Sequence, residues 1–215
     1  MIVYTPIDIP CQVPDHELLV DYVNNNYMTN LTDTYGYTSL LAGIVSRHPV
    51  EDWRNANDVF ADDGYELSPT QNLFFAPKVT VLFPELIQTL LTLPYKQILG
   101  AALSLHTNYL APHNDDVDTN YPTSPERYNI LLSPHYDQDS FFICKELDGP
   151  RIYPTILKDY PVYAFNNKDM YHGADPVLDR RVIMICSGII DEEKHQALIS
   201  RSTDKFKEHV IRFDK

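Results

Sequence analysis

The hydrophobic pattern changes from a helical period to that of strands near Pro94. Before that point the apolar positions mostly recur at helical spacing. Leu18, Leu19, Tyr22 and Val23 follow Asp15, a residue suited to capping, and predict a helix that ends at Asn24-Asn25-Asn26. Thr38–Ser46 reads as a second short apolar helix, and Pro49–Phe60 as a third that opens with Pro49, Glu51 and Asp52. Lys78–Leu82 reads as a strand. Pro84–Leu93 reads as a helix with Leu86, Ile87, Leu90 and Leu91 on its apolar side. The first 14 residues, with Pro6, Pro10 and Pro14, read as extended chain with turns.

After Pro94 the alternation is that of strands. Gln97–Leu110 predicts a long strand or strand pair, in which Ser104, His106 and Asn108 alternate with Leu103, Leu105 and Thr107. Tyr128–Ser133, Ser140–Lys145, Arg151–Leu157 and Pro161–Asn166 are further strand candidates, separated by turn-forming pairs such as Ser133-Pro134 and Gly149-Pro150. A strongly apolar strand is predicted over Arg181–Ile190. Asp191–Ser200 and Thr203–Phe213 read as one or two amphipathic helices. The expectation is an α+β chain with a mainly β core. Residues 1–94 form a mostly helical annex, 95–190 the core and 191–215 C-terminal helices, all in one domain of 215 residues.

Composition changes this picture little. Fifteen Tyr and nine Phe against seven Gly fit an aromatic-lined β interior. The net charge of −13, with no basic run, argues against general nucleic-acid binding. Cys11, Cys144 and Cys186 are odd in number and lack a Cys-x-x-Cys, which reads as reduced thiols. With neither a signal peptide nor a membrane span in the pattern, a cytoplasmic protein without membrane contact is expected. Trp53, the single Trp, reads as a packing residue.

The chemistry concentrates in Pro112-His113-Asn114-Asp115, Tyr171-His172-Gly173 and Arg180-Arg181. Two imidazoles and one carboxylate, from His113, His172 and Asp115, suit a non-haem Fe(II) with positions left open for other ligands. His135-Tyr136-Asp137 repeats the His-x-Asp spacing. Four strand candidates separate Asp115 from His172, but only three fit within the 34 residues between Asp137 and His172. Four is the number that the family resemblance given below implies, which favours His113 and Asp115, with His135 and Asp137 as the alternative pair. His106 reads as a structural histidine near the chemistry. His16, His48, His195 and His209 read as solvent-exposed or hydrogen-bonded surface residues. Strand alternation points Arg181 inward and Arg180 outward, to a surface salt bridge. The Asp116–Ser124 stretch has the length and composition of a lid.

These residues resemble the 2-oxoglutarate- and Fe(II)-dependent oxygenase superfamily. The shared order is His-x-Asp, several strands, a second His 57 positions after Asp115, and an Arg nine positions after that. The resemblance covers about residues 96–190 and implies a double-stranded β-helix (jelly-roll) core with flanking helices. It further implies Fe(II) on His113, Asp115 and His172, 2-oxoglutarate chelating that iron, and Arg181 on the cosubstrate's far carboxylate. O2 would be the oxidant, and the products would be succinate, CO2 and a hydroxylated amino acid, peptide side chain or small metabolite. Within the superfamily the chain is similar to the aspartyl/asparaginyl hydroxylase group, through Pro-His-x-Asp, Arg127 opening the next core strand, and Phe165-Asn166-Asn167 ahead of His172. It is nearly as similar to the prolyl 4-hydroxylase-like group. In the first group a His near the cosubstrate follows the intermediate Arg by two residues; Asn129 takes that place here. Arg127 and Asn129 are therefore candidates to face the cosubstrate, with a structural salt bridge the other reading for Arg127. The rival function is a non-catalytic β-barrel or cupin-like binding or interaction protein. Against the cupin form, no His-x-His occurs.

Overall fold

The structure is a computed structural model that describes residues 1–29, 39–59, 72–106, 109–114, 126–133, 140–167, 169–177 and 180–213, with backbone alone at 126 and 127. Its elements are β1 (Ile2–Pro6), α1 (His16–Asn26), β2 (Ser39–Ser46), α2 (Ala56–Val59), β3 (Phe74–Phe75), α3 (Val79–Leu82), α4 (Pro84–Thr92), β4 (Tyr95–His106), β5 (Leu110–His113), β6 (Glu126–Leu131), β7 (Phe141–Cys144), β8 (Val162–Asn166), β9 (Tyr171–Ala174), β10 (Arg181–Ile190), α5 (Glu192–Lys205) and β11 (Ile211–Arg212). The fold is α+β with mainly antiparallel sheet. Eight strands form one sheet in the order β11-β1-β8-β6-β10-β4-β2-β3, and three form another in the order β5-β9-β7.

The large sheet has two different faces, and strand alternation assigns them. On β10, Val182, Met184 and Cys186 face the helices, while Arg181, Ile183 and Ile185 face the small sheet. On β4, Leu103 and Leu105 share the helical face, and Ser104 and His106 take the other. Leu19, Val20 and Val23 of α1, Leu86, Ile87 and Leu90 of α4 and Leu198 of α5 close the helical face into the main core. A second, smaller core fills the space between the sheets, with Leu131, Phe141, Ile143, Tyr163, Phe165 and Ile183. Each such side chain taken from water contributes about 1.5–3 kcal/mol before conformational entropy is subtracted.

Several elements match their sequence patterns. Asp15 caps α1 by accepting from the Leu18 amide at 3.0 Å, Pro84 opens α4, and β10 has the bounds its apolar run predicts. Trp53 packs against both the main core and the Met28–Val59 cluster.

Others differ. Thr38–Ser46 is not helical: β2 runs between β3 and β4 inside the large sheet. A short run apolar on every side fits a strand buried on both faces as well as it fits a helix, and pairing decided the matter. Lys78–Leu82 is not a strand. Lys78 takes a left-handed conformation, φ 65°, and starts the single turn α3, which buries Val79 and leaves Val81 79% exposed. Of Pro49–Phe60 only Ala56–Val59 is helical among the described residues. Residues 1–94 thus give the large sheet β1, β2 and β3 as well as carrying α1–α4. Arg151–Leu157 forms no strand, only isolated bridges from Ile152 to Ile143 and from Leu157 to Tyr160; Pro150 and Pro154 remove donors that a ladder would need. In the C-terminal tail α5 ends at Lys205, and β11 pairs with β1 in place of a second helix.

Candidate functional site

The small sheet brings the two distant histidines together. β5 and β9 are antiparallel, and His113 and His172 are cross-strand partners. Their ring centroids lie 4.4 Å apart with the planes tilted by 48°. His113 Nδ1 is 2.9 Å from the Ala111 carbonyl oxygen. A carbonyl only accepts, so Nδ1 carries the proton and the lone pair of the neutral ring is on Nε2. His172 is buried, with the Phe165 ring edge-on to it at 4.8 Å.

Gly173 keeps His172 in place from behind. A Cβ there would sit 2.5 Å from the Leu110 carbonyl oxygen and 2.6 Å from Cζ of Phe142. Phe142 is backed by the Arg151 guanidinium, which lies 4.3 Å from its ring centroid and is itself paired with Asp175. Gly173→Ala is expected to cost about 1–3 kcal/mol through this overpacking, read as a lowered midpoint in thermal denaturation. An unchanged midpoint would show that β9 has slack that the packing does not reveal.

Both histidines line a chamber of about 210 Å³ between the sheets. Phe141, Phe165, Leu110, Ile183 and Ile185 make its apolar wall. The large sheet supplies the polar groups: Arg181 and His106, which are cross-strand partners on β10 and β4, with Ser104, Asn129 and Tyr163. Arg181 is 3% exposed, and its guanidinium lies 5.9 Å from the Phe141 ring centroid. Its neighbour Arg180 points outward to Glu17 at 2.9 Å, as strand alternation requires. Asn129 is buried, and its Oδ1 has no hydrogen-bond partner among the described residues. An open cleft near Pro10–Pro14 is larger, at about 580 Å³, but lacks the convergence of buried polar groups on an apolar pocket.

Of the residues singled out from sequence, the structure thus brings His113, His172, Arg181 and Asn129 to one chamber. Arg127 lies on β6 opposite Phe165 in register. Asp115, the alternative pair His135 and Asp137, and the lid stretch Asp116–Ser124 lie outside the described residues. No group of three or more His, Cys, Asp or Glu side chains that could hold a metal occurs among the described residues. The donor chemistry of the described pair fits a borderline divalent ion, since two imidazoles stand on adjacent strands with their rings 4.4 Å apart.

One histidine differs from its surface reading: His195 is 2% exposed, with its Nδ1 2.6 Å from the Tyr128 hydroxyl beneath β6. His106, read as a structural histidine near the chemistry, is buried on the chamber wall with Nε2 2.7 Å from Ser104 Oγ. The polar alternation of Ser104 and His106 within an apolar strand was the available signal. Phe141, Tyr163 and Phe165 gave none, because an aromatic residue facing a cavity has the same sequence pattern as one facing a core.

No protein-family model matches the chain, and no curated protein matches it. Among solved structures the chain is similar to an oxidoreductase of the 2OG-Fe(II) oxygenase family from Burkholderia pseudomallei, at 12% identity over 80% of this chain and 77% of that one, with a TM-score of 0.43. It is similar also to a prolyl-4-hydroxylase of Pseudomonas putida, at 10% identity over 87% and 94% of the two chains, with a TM-score of 0.38. A third is the viral collagen prolyl hydroxylase of Paramecium Bursaria Chlorella virus-1, solved with 2OG, at 10% identity over 81% and 91%, with a TM-score of 0.38.

Proposed function

We propose that this protein is an Fe(II)- and 2-oxoglutarate-dependent oxygenase on a double-stranded β-helix core, hydroxylating a C–H bond of an amino acid, a peptide side chain or a small metabolite. The observation that carries this reading is the meeting of His113 and His172 on adjacent strands, in a chamber whose facing sheet presents the buried Arg181. His113, His172 and Asp115 would hold the iron. When bound, the metal with 2-oxoglutarate and O2 supplies the oxidation, releasing succinate and CO2 as one oxygen atom enters the C–H bond.

The chain's own residues position and shield. The guanidinium of Arg181 stays charged and offers a planar fork, so it can take the far carboxylate of the cosubstrate in two hydrogen bonds. Asn129 Oδ1, an acceptor inside the chamber, can receive a donor from the bound molecules. Arg127 is the further candidate for cosubstrate contact. The apolar wall keeps water from the reacting centre. No helix among the described residues is long and apolar enough to cross a membrane, and the substrate is a small molecule or peptide side chain that reaches the chamber from solution.

Anaerobic titration of metal-free protein with Fe(II) and then 2-oxoglutarate tests this. The expected result is the weak visible charge-transfer band of the chelate, with a melting temperature raised by both ligands. No band, with stability indifferent to both, would sink the oxygenase reading and leave a binding protein.

A further inference from the structure

The strand that carries His113 is irregular. Leu110 and His113 of β5 both line the chamber. They are three positions apart, so strict strand alternation would put them on opposite faces. Their partners on β9, Ala174 and His172, are only two apart, and the register shifts between the two pairings. β5 therefore holds one extra residue, a bulge at Ala111-Pro112, and the bulge turns His113 into the chamber. It also supplies the Ala111 carbonyl, which accepts from His113 Nδ1 at 2.9 Å. A slip of β5 by one residue would undo both arrangements. The backbone offers little resistance to such a slip. β5 is an end strand of four residues, and Pro112 has no N–H to add to the ladder.

A side-chain clip stands where that register is set. Tyr109 precedes Leu110 and Asp175 follows Ala174, so they are the next residues along the antiparallel pair. Arg151 bridges them. Its Nη2 donates to the Tyr109 hydroxyl at 3.0 Å, and its Nη1 donates to Asp175 Oδ1 at 2.5 Å. The Tyr153 hydroxyl donates to the other Asp175 oxygen at 2.7 Å. The guanidinium also lies over the Phe142 ring of β7, and Ile152 exchanges two backbone hydrogen bonds with Ile143 of the same strand. Phe142 alternates with the chamber-lining Phe141, so the clip is on the face away from the chamber. One side chain thus ties together all three strands of the small sheet. Exposed ion pairs add little to global stability, so the consequence of this one is local.

We propose that Arg151 is a positioning residue for His113. By clipping Tyr109 to Asp175 it fixes the register of β5 on β9, which holds the bulge and keeps His113 Nε2 aimed into the chamber. The consequence for a metal rests on the proposed function, in which His113 holds the iron.

The test compares wild type with Arg151→Met, Arg151→Lys and Tyr109→Phe. Lys205→Met, which removes an exposed ion pair to Asp8, is the control. The first measurement is the pair of imidazole nitrogen NMR shifts of His113 in metal-free protein with the ring neutral, which report the tautomer. Wild type and Lys205→Met should keep the proton on Nδ1, and Arg151→Met should show a mixture of tautomers. The second measurement is anaerobic titration with Fe(II). Affinity should fall about 10-fold in Arg151→Met, the low end of what loss of an outer partner of a metal ligand costs, because Arg151 acts through the strand. Arg151→Lys keeps the charge but not the fork that reaches both partners, and should fall between. Tyr109→Phe should shift both readings in the same direction, and adding it to Arg151→Met should cost nothing further, since both break the same bond. The melting temperature of metal-free Arg151→Met should move no more than that of Lys205→Met. An Arg151→Met variant that keeps the wild-type tautomer, or an Fe(II) affinity within about twofold of wild type, would overturn the assignment. Failure of wild type to bind Fe(II) would instead sink the oxygenase reading, and the tautomer, which needs no metal, would still decide whether Arg151 positions His113. If Arg151→Met does not fold, Tyr109→Phe, which removes a single oxygen atom, decides on the same readings.

Discussion

Replacing His172 with Ala is expected to lower Fe(II) affinity by more than about 100-fold, since loss of an outer hydrogen-bond partner of a metal ligand already costs about 10- to 100-fold. Hydroxylation should fall with it. His172 sits on β9, the central strand of the small sheet, opposite His113. No other described imidazole can take its place, because His106 is tied to Ser104 on the facing sheet. The measurement is direct titration of metal-free variant and wild type with Fe(II) under anaerobic conditions. The melting temperature of each should be recorded as well, because removing a buried ring also leaves a cavity. An affinity equal to that of wild type would remove His172 from the metal site and with it the reading of the chamber.

Arg181→Ala is expected to leave Fe(II) affinity near that of wild type and to raise the 2-oxoglutarate requirement about 100- to 1000-fold. The estimate takes two charge-assisted hydrogen bonds at about 1.5–3 kcal/mol each and discounts their sum for water entering the vacated space. Arg181→Lys keeps the charge but loses the fork, and should fall between the two. Arg181 is buried on the chamber wall. A ligand that binds the folded state stabilises it in step with its affinity, so added 2-oxoglutarate should stabilise the wild type strongly and the Ala variant little. Equal 2-oxoglutarate affinity in both would place the far carboxylate elsewhere.

The histidines and Arg181 were legible in sequence for different reasons. Arg181 follows from one local rule. It opens a strand of ten residues whose even and odd positions face different layers, so the inward member of the Arg180-Arg181 pair can be chosen by counting. His113 and His172 were legible only as a spacing, because their meeting depends on β5 and β9 pairing across a long stretch of chain. The helices α1 and α4 could be read from their caps and apolar stripes, which are properties of a few turns.

What could not be read was settled by neighbours. The Ser39–Ser46 run became a strand because β3 and β4 satisfy its backbone on both edges. Val79 turned into helix because Lys78 starts a turn that leads into α4. His195 went to the interior because the Tyr128 hydroxyl of a neighbouring strand waits for it there. By itself, then, the sequence determined the starts of α1 and α4 and the inward side of β10, and it marked His113, His172 and Arg181 as candidates. Tertiary structure alone decided which residues share the chamber. Hydrogen-bond pairing between distant strands fixes register, and register places Ser104 and His106 beside Arg181 and His113 beside His172.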